Sequence, residues 1–164
     1  MADQRPDHRL RVAVIGLGVG SLHVDALTRL ADRFEVVAVC DHDDTRARAV
    51  AEPIGARVAS EKVIVDDSDV DVVDLCTPPS QHFDQVTRAL RAGKHVICEK
   101  PLVGTLAELD ALRALERASA GRVMPVFQYR WGNGFQRLLH LRDAGVTGAH
   151  RLTTIELAWN RGRD

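Results

Sequence analysis

Apolar runs that leave no polar face constrain this chain most. Leu10 to Ile15 is broken only by Arg11, Val36-Val37-Ala38-Val39 is unbroken, Val70 to Cys76 is apolar apart from Asp71 and Asp74, and His95 to Cys98 is apolar after its histidine. A strand with no polar face must be covered on both sides, which is the condition of a parallel sheet between two helical layers. The intervening segments have helical spacing. Ser21 to Ala31 places Leu22, Leu27 and Leu30 on one face, with Ala26 beside them. Asp43, Asp44 and Thr45 offer caps to an alanine- and arginine-rich helix that Pro53 or Gly55 stops. Ser80 is expected to cap a helix running to Ala92, with Gly93 as its stop. Thr105 to Ala120 carries Leu106, Leu109, Leu112 and Leu115, and a last helix spans about Phe135 to Asp143. Short strands at Arg57 to Ala59 and Met124 to Gln128, and a short helix at Ser60 to Val65, complete the pattern. Strands alternating with helices predict an α/β fold with a doubly wound parallel sheet.

The size and charge balance narrow the function classes. The 164 residues carry a net charge of −1, which argues against a basic face for nucleic acid or a membrane surface. No apolar run approaches the roughly 20 residues of a membrane span. The opening residues are polar and charged, which predicts a disordered tail over 1–9 and a cytoplasmic protein without a secretory signal. Cys40, Cys76 and Cys98 have no C-x-x-C spacing and fall near strand ends, so they read as core residues in a reducing compartment, with no metal site.

Three turns carry the chemistry. The first strand ends in Gly16-Leu17-Gly18-Val19-Gly20-Ser21. Glycines there permit a tight turn and close approach of backbone to a pyrophosphate, whose charge the following helix N-terminus stabilises. Gly16 and Gly18 occupy the first two fingerprint positions, and Ser21 stands where a third small residue packs helix on strand. Asp41 lies 23 residues past Gly18, at the end of the second strand. A carboxylate there can accept the ribose hydroxyls of NAD, or it can cap the next helix. His42, Arg46 and Arg48 keep NADP open. The glycine spacing also fits an S-adenosylmethionine loop, but Ile15 stands where such loops carry an acid.

The second turn is Cys76-Thr77-Pro78-Pro79-Ser80-Gln81-His82, where Thr77 offers a hydroxyl and Pro78 an apolar ring. His82 reads equally as a ligand contact and as a helix-start histidine bonded to the loop. His23 reads as packing behind the glycine loop. The third turn is Glu99-Lys100-Pro101, delivered by the strand His95 to Cys98. The proline holds Lys100 in extended backbone, and a lysine at a strand's carboxyl end can hydrogen-bond a substrate oxygen.

In order and spacing these motifs resemble the Gfo/Idh/MocA oxidoreductases over about residues 10–160. The resemblance implies a Rossmann-like dinucleotide-binding domain at 10–148. It implies NAD as cofactor, NADP being possible, bound by Gly16, Leu17, Gly18, Val19, Gly20, Asp41, His42, Arg46, Cys76, Thr77, Pro78, His82, Glu99 and Lys100. It implies hydride transfer between nicotinamide and the carbinol carbon of a sugar, inositol or related polyol, with Lys100 catalytic and Glu99 orienting it. The family's proton-transfer histidine comes from a second domain. The alternating strand Arg151 to Trp159 is read as the first strand of that α+β substrate domain, beginning at 149 and cut short at 164. On this reading the chain alone is inactive. The rival class is a non-catalytic nucleotide-binding or interaction module that pairs the Arg151–Trp159 strand with a second copy; a methyltransferase is more distant.

Overall fold

The computed structural model describes residues 9–149 and 151. The chain falls into two compact units, Met1–Phe127 and Gln128–Asp164. In the first, six parallel strands form one sheet in the order β3-β2-β1-β4-β5-β6. They are β1 (Leu10–Ile15), β2 (Phe34–Cys40), β3 (Arg57–Val58), β4 (Val72–Leu75), β5 (His95–Cys98) and β6 (Val123–Pro125). The helices are α1 (Gly20–Arg29), α2 (Asp44–Ala51), α3 (Glu61–Asp66), α4 (Pro79–Arg91) and α5 (Leu106–Ala118). This is the doubly wound fold that the largely apolar strands predict.

The pleat sends alternate residues of β1 into two cores. Val12 and Val14 join Val24 and Leu27 of α1 and Ala47 and Ala51 of α2. Ala13 and Ile15 join Ile64 of α3, Val86, Ala89 and Leu90 of α4, and Leu112 of α5. Each fully buried Val or Leu contributes about 1.5–3 kcal/mol. The helix ends follow local chemistry. Asp43 accepts from the backbone N–H of Thr45 and Arg46 at the start of α2, and Thr105 and Glu108 form a reciprocal capping box on α5.

Several boundaries differ from expectation, among them β4, expected over Val70 to Cys76 and observed as Val72–Leu75. Helix α4 begins at Pro79, with Pro78 as an uncapped extended residue before it, and Ser80 lies inside the first turn. Proline's fixed φ suits the first helical position, where its missing N–H costs nothing. Strand β6 stops at Pro125 because its partner, β5, stops opposite it at Cys98. Gln128 opens a 3-10 turn, Gln128–Trp131, in the second unit, which is followed by α6 (Asn133–Asp143). The expected strand Arg151–Trp159 and nearly all of the expected tail lie outside the described residues. Among the described residues no helix is long and apolar enough to cross a membrane.

Lys94, in the turn between α4 and β5, is only 8% exposed. Its Nζ donates to the carbonyls of Asp67 and Val70, tying this turn to the α3–β4 loop. Burial pushes its pKa down, against the pull of Asp67, Asp71 and Asp69. Lys94→Met leaves two carbonyls without their donor, and a loss of about 1–3 kcal/mol is expected. An unchanged urea midpoint for Lys94→Met would contradict this anchoring role.

Candidate functional site

The three turns picked out in the sequence leave the same sheet edge in neighbouring rows. Ile15, Leu75 and Cys98 stand side by side at the carboxyl ends of β1, β4 and β5. The next residues continue the ladder: Gly16 N–H donates to Cys40 O (2.8 Å), Cys76 N–H to Ile15 O (2.8 Å) and Glu99 N–H to Leu75 O (2.9 Å). The chain winds from β1 outward to β3, then crosses back to β4. The crevice between β1 and β4 is therefore the switch point where open α/β sheets bind ligands.

A cavity of about 560 Å³ opens there, lined by Gly16, Leu17, Gly18, Asp41, His42, Arg46, Cys76, Thr77 and Pro78. Cys40, Glu61, Gln81 and Gln85 also line it, and sequence reasoning had missed all four. Gly16 has φ +86°, and an added Cβ would stand 2.7 Å from Cys76 O. Gly18 faces open space, with nothing within 4 Å of such a Cβ. The close helix–strand packing expected of Ser21 belongs instead to Gly20, whose Cβ would lie 3.1 Å from both Cys76 Cβ and Val14 Cγ1. Ser21 turns its hydroxyl back to Gly18 O (3.0 Å). Val19 is exposed.

Asp41 is more deeply tied in than a free ribose acceptor. Its Oδ2 accepts from Leu17 N–H (2.6 Å) and its Oδ1 from Asp43 N–H (2.9 Å). His42 Nδ1 and Arg46 NH1 approach the same Oδ1 at 3.1 and 3.4 Å. Burial favours protonation, but the Asp43 and Leu17 amides, Arg46 and His42 outweigh it and hold the pKa below the usual carboxylate value. Asp41 thus staples the glycine loop to the end of β2. The cap of α2 is Asp43.

Thr77 donates its hydroxyl to Gln85 Oε1, and Gln85 donates to Glu61 Oε2 (2.8 Å), which braces the rim between α3 and α4. Glu61 also pairs with Arg88. Gln85 falls at helical spacing between His82 and Ala89, on the side that also carries Val86, and that spacing was the available sequence signal. His82 takes the second of its two readings: it is fully buried, with Nδ1 2.8 Å from Pro101 O and Nε2 2.9 Å from Thr77 O. With no exposed surface and both nitrogens engaged, it clamps the second turn to the third rather than facing the crevice.

Glu99 is buried, and its Oε2 accepts from Lys100 N–H (3.0 Å). Lys100 is exposed at the same edge. Burial pushes the Cys98 thiol up to about 12, with Asp74 and Glu99 adding to the effect, and raises Cys76 further still. All three cysteines are free, and those two are protonated core residues.

The residues fit a dinucleotide: an open glycine at the helix start for phosphate, an acid at the end of β2, and an apolar rim. Comparison with known proteins agrees. Residues 10–127 match the model of the Gfo/Idh/MocA oxidoreductase family, NAD-binding Rossmann fold. Inositol 2-dehydrogenase 3 of Saccharopolyspora erythraea is 40% identical over 144 residues, covering 85% of this chain and 42% of the relative. The WlbA dehydrogenase of Chromobacterium violaceum, solved with NADH and UDP-GlcNAcA, superposes with a TM-score of 0.81 at 29% identity, over 90% of this chain and 44% of that one. A mutant 3-ketoreductase of Actinomadura kijaniata, solved with TDP-benzene and NADP, gives 0.77 at 29% identity, over 85% and 45%. The chain therefore spans about two fifths of the length of the relatives it matches. With the family match covering both the glycine loop and the Glu99-Lys100-Pro101 turn, the chain belongs to the Gfo/Idh/MocA oxidoreductases, an NAD-binding family.

Proposed function

We propose that this chain is the cofactor-binding part of an NAD(P)-dependent dehydrogenase of inositol, a sugar or a related polyol. The observation that carries this reading is the shared sheet edge of Gly16–Ser21, Asp41, Thr77–Pro79 and Glu99–Pro101. Bound nicotinamide would accept or supply the hydride. The Gly16–Gly20 backbone and the α1 N-terminus receive the diphosphate. Asp41 and His42, with Arg46, face the adenosine ribose, and Cys76, Thr77 and Pro78 wall the crevice. Lys100 hydrogen-bonds the reacting hydroxyl, and Glu99 fixes the Lys100 backbone.

Lys100 is one hydrogen-bonding group, and general acid–base catalysis needs a further group within hydrogen-bond reach of the proton. By the family resemblance, the second domain supplies that group and the substrate floor. We therefore place the substrate-binding part after the dinucleotide domain, from about residue 149 onward. A reducing cytoplasm suits three free thiols.

Calorimetry with NADH, NADPH and S-adenosylmethionine tests the reading. NADH is expected to bind at least tenfold more tightly than NADPH, because a carboxylate at the end of β2 repels a 2′-phosphate. S-adenosylmethionine is expected not to bind, and myo-inositol with NAD to give no turnover. Binding of S-adenosylmethionine without NADH would replace this reading by a methyltransferase. Polyol oxidation that vanishes in Lys100→Ala would overturn the inactivity of the chain alone.

A further inference from the structure

Behind the glycine loop, a histidine sits between two acids. Asp74 is the one acid on the buried face of β4, at 1% exposure, among Val72, Val73 and Leu75. It faces α1, where His23 follows the glycine loop by one turn. His23 Nδ1 donates to Asp74 Oδ2 at 2.9 Å, and Nε2 stands 3.4 Å from Glu99 Oε1. The other Glu99 oxygen accepts from Lys100 N–H at 3.0 Å. Both ring nitrogens therefore face carboxylate oxygens, and a ring protonated on both nitrogens can donate to both.

We propose that His23 is a positioning residue: as an imidazolium bridging Asp74 and Glu99, it fixes Glu99 and through it the Lys100 backbone, coupling the helix of the glycine loop to the lysine turn. The inference deepens the functional reading and rests on it for the role of Lys100.

The groups facing His23 are Asp74 and Cys76 from β4 and its end, and Glu99 after β5. Cys76 Sγ lies 3.4 Å from Nδ1 and donates to Asp74 Oδ1 at 3.6 Å, its thiol held protonated by burial. Cys98, also protonated, lies at the end of β5 beside them. The hydrogen bond to Asp74 raises the His23 pKa above 6.5, against burial and with help from Glu99. A raised folded-state value makes the bridge's stabilisation complete below about pH 6.5 and lost as pH climbs through the folded-state pKa.

The test is a pH titration of the full chain by NMR, following the His23 ring and the Lys100 backbone amide. Both are expected to titrate with one common midpoint above 6.5, and the melting temperature is expected to fall across the same interval. In Glu99→Gln the His23 midpoint should drop, and in His23→Asn the Lys100 amide step and the matching fall in melting temperature should vanish. A Lys100 amide that stays constant while His23 titrates overturns the coupling, as does a His23 midpoint at or below 6.5 in the wild-type chain. A chain that shows the shared midpoint yet binds no NADH supports the coupling and refutes the functional reading instead.

Discussion

Gly16→Ala is expected to remove about 3 kcal/mol or more of stability and to abolish NADH binding. Two independent causes add. At φ +86° an L-residue meets a steric cost of roughly 1–2 kcal/mol. The new Cβ would also stand 2.7 Å from Cys76 O and 2.8 Å from Cys76 C, which are backbone atoms and cannot rotate aside. Cys76 is itself pinned by its N–H to Ile15 O. Relief therefore requires β1 and β4 to part at the mouth of the crevice, and overpacking of this kind costs about 1–3 kcal/mol. A domain of this size has only about 5–15 kcal/mol in hand. Urea denaturation reads the loss as a lower midpoint at unchanged slope. Gly18→Ala is the control. Its Cβ meets nothing within 4 Å, so stability should hold within about 0.5 kcal/mol. NADH affinity should still fall, because the methyl occupies the side from which a diphosphate approaches. A Gly16→Ala chain with the wild-type midpoint would show that the β1–β4 mouth is not closed as described.

The parallel sheet could be read from the sequence because its signal is local. Runs such as Val36-Val37-Ala38-Val39 have no face to give to water, and β5 matches its expected bounds, His95 to Cys98. The turns at the strand ends were legible for the same reason: glycine and proline act through their own backbone. What failed to show was pairing between distant side chains. Asp41 has the same identity whether it faces a ribose or staples Leu17 N–H, and only the loop's return decides. His82 was balanced between two readings until the carbonyls of Thr77 and Pro101 arrived from separate turns. Asp74 did leave a trace, since an acid on an otherwise apolar buried strand needs a partner. Nothing local identified that partner as His23, 51 residues earlier. Gly20 and Ser21 exchanged roles because close packing depends on which Cα faces Cys76, a matter of helix phase.

Gly121 left no trace at all, and it yields the other large expected effect. A Cβ at Gly121 would lie 2.0 Å from Lys94 O and 2.7 Å from Lys94 C. Its φ is not in the left-handed region, so space alone is at issue. Neither side can withdraw easily. Lys94 N–H is bonded to Ala89 O (2.9 Å), and its side chain is anchored on the α3–β4 loop. On the other side Gly121 N–H donates to Ser119 Oγ (3.0 Å), which donates to Leu90 O (2.7 Å). The next residue's carbonyl, Arg122 O, accepts from Val96 N–H (2.8 Å). Gly121→Ala must therefore peel β6 from β5, with a cost at or above the upper end of the usual overpacking range of about 1–3 kcal/mol. The clash lies at the amino end of β5, away from the edge that carries the three turns. NADH affinity of the folded fraction should then stay within about threefold of wild type, a change of less than ~1 kcal/mol. Gly121→Ala and Gly18→Ala thus form opposite cases, one losing stability while keeping affinity and the other the reverse. A Gly121→Ala chain that keeps its urea midpoint would mean that the segment entering β6 does not lie against Lys94 as described.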